Sequence, residues 1–178
     1  MSLPHALLTA LMERPGSGSE LASRFDRSIG YFWQATHQQI YRELARLEKA
    51  GFIEGLAAET GRGRKRKYQV LPAGREELER WTGTALAPIP MRDEMLVRVR
   101  AAAALAPATP ELLEELERLA AHHREKLAVY RKIEARDFPE GPQSQAHKLR
   151  HLVLKAGIDF EHARAAFLDE ALAILRAP

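Results

Sequence analysis

Two groups of side chains in this chain carry recognisable chemistry: the polar run Gln38, Gln39 and Arg42, and the cations Arg62, Arg64, Lys65, Arg66 and Lys67. A carboxamide can bridge adenine N6 and N7, and a guanidinium can fork onto guanine O6 and N7; such contacts discriminate between bases by ~1–3 kcal/mol. Cations crowded into residues 62–67 act through charge instead. Neutralising phosphates releases counterions, which supplies affinity without choice of sequence. Arg62 or Arg64 can also enter a minor groove and read its width. Arg46 and Lys49 suit phosphates, Tyr41 suits the DNA backbone, and amides around Thr36, His37 and Gln38 suit a phosphate at a helix start.

These residues need elements to hold them. Thr36-His37-Gln38-Gln39 forms a capping box, with Thr36 as N-cap and Gln39 at the third helical position. Ile40, Leu44 and Leu47 make one apolar stripe on the helix that follows, which turns Gln38, Gln39, Arg42, Ala45, Arg46 and Lys49 outward. Gly51 supplies a left-handed C-cap. A strand begins at Phe52-Ile53, Gly61-Arg62-Gly63 turns the chain, and Tyr68 and Val70 alternate on the return strand. A helix followed closely by a basic hairpin predicts a winged helix-turn-helix with a two-stranded wing.

Upstream, Leu3, Leu7, Leu8 and Leu11 predict a first helix that Pro15-Gly16 stops. Ser17 and Glu20 form a second capping box, opening a helix that buries Leu21, Phe25 and Ile29. Gly30-Tyr31-Phe32-Trp33 reads as an aromatic knot packed in the core. After the hairpin, Pro72-Ala73-Gly74 opens a charged helix packing through Leu78 and Trp81.

The small, Pro-punctuated stretch from Ala85 to Pro90 marks a boundary between a domain at 1–84 and one at 85–178. The first holds 13 Lys/Arg against 10 Asp/Glu, and the second 14 of each, so the net +3 lies entirely in the first. The second reads as helices over about Arg92 to Leu105, Thr109 to Ala135 and Ser144 to Leu175. Leu112, Leu116, Leu119, His123, Leu127 and Tyr130 share one seam, and Leu149, Leu152, Ala156, Phe160, Ala163, Phe167 and Leu175 share another. Two long helices with narrow seams want a partner pair, most economically from a second copy of the chain. Leu116, Leu127, Leu152, Phe160 and Phe167 are the expected dimer contacts.

Other classes find little support. There is no cysteine, which excludes disulfides, thiolate zinc sites and Cys nucleophiles, and suits a reducing cytoplasm. No apolar run approaches the ~20 residues needed to span a bilayer, and MSLPHALLTALMERPG lacks the basic head of a signal peptide. His147 and His151 stand one turn apart, but Lys148 occupies the place where a zinc helix carries Glu. His122-His123 sits among ordinary helix-surface residues. Neither a glycine-rich phosphate loop nor a nucleophile elbow is present. No catalytic residue, metal or cofactor is therefore expected. A winged helix that binds protein instead of DNA is the alternative; it would keep the Ile40/Leu44/Leu47 stripe without needing the five cations.

The stretches IYRELARLEKAGFI, GRGRKRKYQV, PAGREELERW and RDEMLVRVRAA resemble the PadR family of bacterial transcriptional regulators, nearly end to end and most densely from Gly30 to Trp81. Gly30, Phe32-Trp33, Gln39-Ile40-Tyr41, Leu44, Leu47-Glu48 and Gly51 stand where the family pattern has them. The resemblance implies a mainly α protein, an N-terminal winged helix-turn-helix joined to a C-terminal helical dimerisation domain of the extended kind. It further implies a homodimeric cytoplasmic repressor on a pseudo-palindromic operator in double-stranded DNA, often released by a small aromatic or cationic effector. An effector-independent DNA binder remains open beside it. Phe32, Trp33, Trp81 and His123 are candidates for lining an effector cavity. The chain departs from the pattern at Ser17-Gly18-Ser19, where His-Gly-Tyr is common, and at Leu71, where a Thr usually caps the helix after the wing.

Overall fold

A computed structural model describes residues 3–27, 33, 35–56, 66–88, 90–105, 107–141 and 143–177. The chain divides into two compact units, Met1–Pro88 and Ile89–Pro178.

In the first unit α1 (Leu3–Glu13), α2 (Gly18–Arg27), α3 (His37–Lys49) and α4 (Pro72–Thr82) surround a small sheet of β1 (Gly16–Ser17), β2 (Ile53–Leu56) and β3 (Lys67–Val70). Leu7, Leu8 and Leu11 of α1, Leu21 and Phe25 of α2, and Ile40, Leu44 and Leu47 of α3 converge with Ile53 in one fully buried core. Trp33 packs against its edge. Truncating one such side chain to Ala costs ~2–5 kcal/mol, because the transfer energy and the cavity add.

The two expected wing strands, β2 and β3, pair as one side of a sheet that holds a further strand. The sheet has three strands in the order β1-β3-β2, all antiparallel. The extra strand is the pair Gly16-Ser17, opposite Tyr68 and Lys67. It sits where the α2 capping box also forms: the Glu20 amide donates to Ser17 Oγ at 3.3 Å, and the Ser17 amide donates to Glu20 Oε2 at 2.7 Å. Those donors, the Ser17 amide foremost and its hydroxyl next, hold the Glu20 carboxyl below its ordinary range. Leu71 stands as N-cap of α4 without a side-chain cap, and Pro72 opens the helix in its place.

The second unit comprises α5 (Glu94–Leu105), α6 (Pro110–Asp137) and α7 (Gln145–Arg176). Thr109 and Ser144 cap the two long helices with their hydroxyls. Cross-pairs between α6 and α7 run in opposite order: Glu134 meets His151, His123 meets Glu161, Arg124 meets Asp169 and Glu117 meets Arg176. The helices are therefore antiparallel. Arg164 pairs with Asp93, holding the start of α5 to α7.

Two of the residues expected at a dimer contact are buried within this unit. Leu116 is fully buried and Leu127 nearly so, covered within the chain by the α6–α7 seam. Phe167 also packs against this core. The buried stripe of α7 is Glu161, Ala165, Leu168, Ala171 and Leu172, with Phe167 and Leu175 of the expected seam packed partly buried beside it. Leu149, Leu152, Val153 and Phe160 are exposed, each to about half or more. The helix thus carries two apolar faces, which periodicity had merged into one.

Candidate nucleic-acid interface

Helix α3 begins as its residues dictate. Thr36 is the N-cap, its hydroxyl accepts from the Gln39 amide at 3.2 Å, and Gln39 Oε1 accepts from the Thr36 amide at 2.8 Å. The first turn carries no acidic side chain, while Arg46 and Lys49 lie in the last. The positive end of the helix dipole is thus left unneutralised, the arrangement that favours an approaching phosphate. At the other end Gly51 has φ 73°. The Phe52 amide returns to the Leu47 carbonyl and the Gly51 amide to the Glu48 carbonyl, both at 3.0 Å. These are the two bonds of a Schellman stop, and they aim the chain into β2.

With Ile40, Leu44 and Leu47 buried, His37, Gln38, Gln39, Tyr41, Arg42, Arg46 and Lys49 are all exposed on one outer surface. Two of them already have structural work. Gln39 spends its carboxamide oxygen on the cap, so it does not present oxygen and nitrogen together to an adenine edge. Tyr41 lies against the start of α2: a Cβ at Gly18 would fall 2.4 Å from its ring. That contact joins the two helices of the helix-turn-helix. Arg46, itself exposed, pairs with Glu43 at a long 3.8 Å.

Of the wing cations, Arg66 and Lys67 are described; Arg62, Arg64 and Lys65 lie outside the described residues. Lys67 is exposed on β3. Arg66 is engaged: its Nη2 donates to Glu48 Oε1 at 2.5 Å, and its guanidinium stacks over Tyr68 at 5.7 Å. Glu48 stood in the sequence only as part of a motif. Its bond crosses 18 positions and leaves no local periodicity to read.

Of the effector candidates, Trp33 and Trp81 belong to the first unit and His123 to the second. Trp33 borders the first unit's core. Trp81 stacks face to face on His5, with centroids 4.4 Å apart, and His5 Nε2 meets Glu77 at 3.1 Å. That arrangement rivets α1 to α4. His123 Nδ1 meets buried Glu161 at 2.5 Å in the second unit, with the Phe160 ring edge-on. Phe32 lies outside the described residues, as do Ile29, Gly30 and Tyr31. The His147–His151 pair flanks the Phe138 ring, and His151 meets Glu134 at 2.6 Å. Among the described residues no group of three or more His, Asp or Glu is arranged to hold a metal, and no helix is long and apolar enough to cross a membrane.

Residues 7–80 match the transcriptional regulator PadR-like family, and residues 91–176 match the family described as Virulence activator alpha C-term. A probable transcriptional regulator of Mycobacterium tuberculosis is 38% identical, covering 99% of this chain and 98% of its own. The structure of the Vibrio cholerae virulence activator AphA superposes with TM-score 0.80 at 32% identity, covering 98% of each chain. Bacillus subtilis PadR in complex with operator DNA also gives 0.80, at 27% identity and 97% coverage of each chain. The same Bacillus protein in complex with p-coumaric acid gives 0.77 at 25% identity, covering 99% of this chain and 96% of that one.

Proposed function

The chain belongs to the PadR-like family of transcriptional regulators, and on that premise we propose that it is a homodimeric repressor that reads a pseudo-palindromic operator and is released by a small effector. The observation that carries the DNA reading is the outer surface of α3. It combines an acid-free first turn, the exposed Gln38 and Arg42, and the phosphate-suited Arg46 and Lys49. Gln38 and Arg42 are the base readers in this account, and Gln39 serves the helix start. Arg62, Arg64, Lys65 and Lys67 supply sequence-independent affinity. A protein-binding winged helix would have no use for that charge.

Dimerisation is supported by the second apolar face of α7. Leu149, Leu152, Val153 and Phe160 are all exposed on α7 in the single chain. A dimer carries two α3 helices, for which half-sites one helical turn apart, or a multiple of one, are expected. Repression follows by occlusion of a promoter in the cytoplasm. Release by a small aromatic compound is supported by the Bacillus relative in complex with p-coumaric acid. Such a compound acts only through a difference in its affinity for the two states of the dimer.

Titration of the chain with candidate aromatic acids tests the control step. Effector binding should lower affinity for a duplex selected from a random pool. Binding that leaves DNA affinity unchanged would reject the coupling.

A further inference from the structure

We infer that Glu48 and Arg66 form a clasp that sets the base of the β2–β3 hairpin against the recognition helix, and that Arg66 serves DNA binding through this clasp instead of as a phosphate anchor. The inference rests on the DNA-binding reading above and deepens it. Charge counting groups Arg66 with its cationic neighbours at 62–67. Geometry separates it from them.

Three elements meet at one carboxylate. Glu48, in the last turn of α3, accepts through Oε1 from the Gly55 amide of β2 at 3.0 Å and from the Arg66 guanidinium beside β3 at 2.5 Å. Tyr68 supports the guanidinium from below. Gly55 leaves it room: a Cβ there would stand 1.9 Å from Arg66 Nε, so the guanidinium would have to move away. The small residue, the acid, the guanidinium and the aromatic ring each have a place in one assembly.

A single exposed ion pair adds little to global stability. Its effect here is orientation, because it ties Gly55 of β2 and Arg66 beside β3 to the last turn of α3. An arginine already neutralised by Glu48 also releases few counterions from DNA. Its removal should weaken binding without changing the salt dependence, whereas removal of a phosphate anchor flattens the slope by about one.

The test measures affinity of the full chain for a mixed-sequence duplex across a potassium chloride series. Unchanged far-ultraviolet circular dichroism establishes that each variant is folded. Arg66→Ala should bind severalfold more weakly with the wild-type slope. Arg66→Lys keeps the charge but loses the fork and the stacking, and should be as weak as the alanine variant. Gly55→Ala keeps every charge yet evicts the guanidinium; it should weaken binding similarly and add nothing in the Arg66→Ala background. A slope flattened by about one in Arg66→Ala, wild-type binding by Arg66→Lys, or full additivity of Gly55→Ala with Arg66→Ala would each overturn the clasp. A wild-type chain that binds no duplex would overturn the DNA-binding reading and the clasp together.

Discussion

Arg42 and Arg64 carry the same charge but are given different duties, and substitution separates them. Arg42→Ala should relax preference at one base pair at a cost of about 1–3 kcal/mol. Arg64→Ala should weaken all duplexes alike and flatten the salt slope by about one. Competition between a selected duplex and a random one checks both; identical behaviour of the two variants would cancel the division into reader and anchor. A third residue makes a pH-dependent prediction. The Glu77 carboxyl is lowered from 4.5 to about 2, first by the hydrogen bonds from Arg80 and then by the one with His5. A depressed carboxylate stabilises the fold above its unfolded pKa and loses that contribution as pH falls from 4.5 towards 2. Thermal melts should therefore show wild type above Glu77→Gln at neutral pH, with the gap closing through that acid window. A gap independent of pH would show that the carboxylate's charge is not involved. At this scale residue types were readable and pairings were not. Gln38 and Arg42 stand out by type on an apolar-striped helix, but Glu48 of α3 with Arg66 beside β3, and His5 of α1 with Trp81 of α4, meet between elements.

Elements were more legible, because local rules set their ends. Thr36 with Gln39, and Gly51 beyond Lys49, bracket α3 in the sequence and in the structure alike. Thr109 and Ser144, where the two long helices were expected to begin, cap α6 and α7. The strand Gly16-Ser17 was missed, since two residues have no alternation to detect and the segment already read as a helix cap. The capping box is open to test. Thr36→Ala removes the hydroxyl that holds the Gln39 amide and should cost ~1 kcal/mol of stability, measurable by urea unfolding. Gln39 then also loses its reciprocal partner geometry, so affinity for DNA should fall with stability. Loss of stability with undiminished DNA affinity would mean that the helix start has no part in holding the duplex.

For the whole molecule the division of labour follows the charge. The excess of cations lies in the unit that carries α3, and the neutral helical unit carries exposed apolar side chains on α7. Periodicity recognised the long helices but could not say which stripe meets α6 and which meets solvent. Leu116 and Leu127 went to the chain's own seam, while Leu152 and Phe160 stayed outside. Phe160→Glu should accordingly yield monomers in sedimentation velocity without unfolding the unit, because the side chain is half exposed; a persistent dimer would put the interface elsewhere. The central claim is that two such chains present paired α3 helices to a specific duplex. Selection of bound duplexes from a random pool tests it most directly. The account predicts enrichment of a pseudo-palindrome whose half-sites lie one helical turn or a multiple apart. Recovery of a pool no different from the input would contradict it.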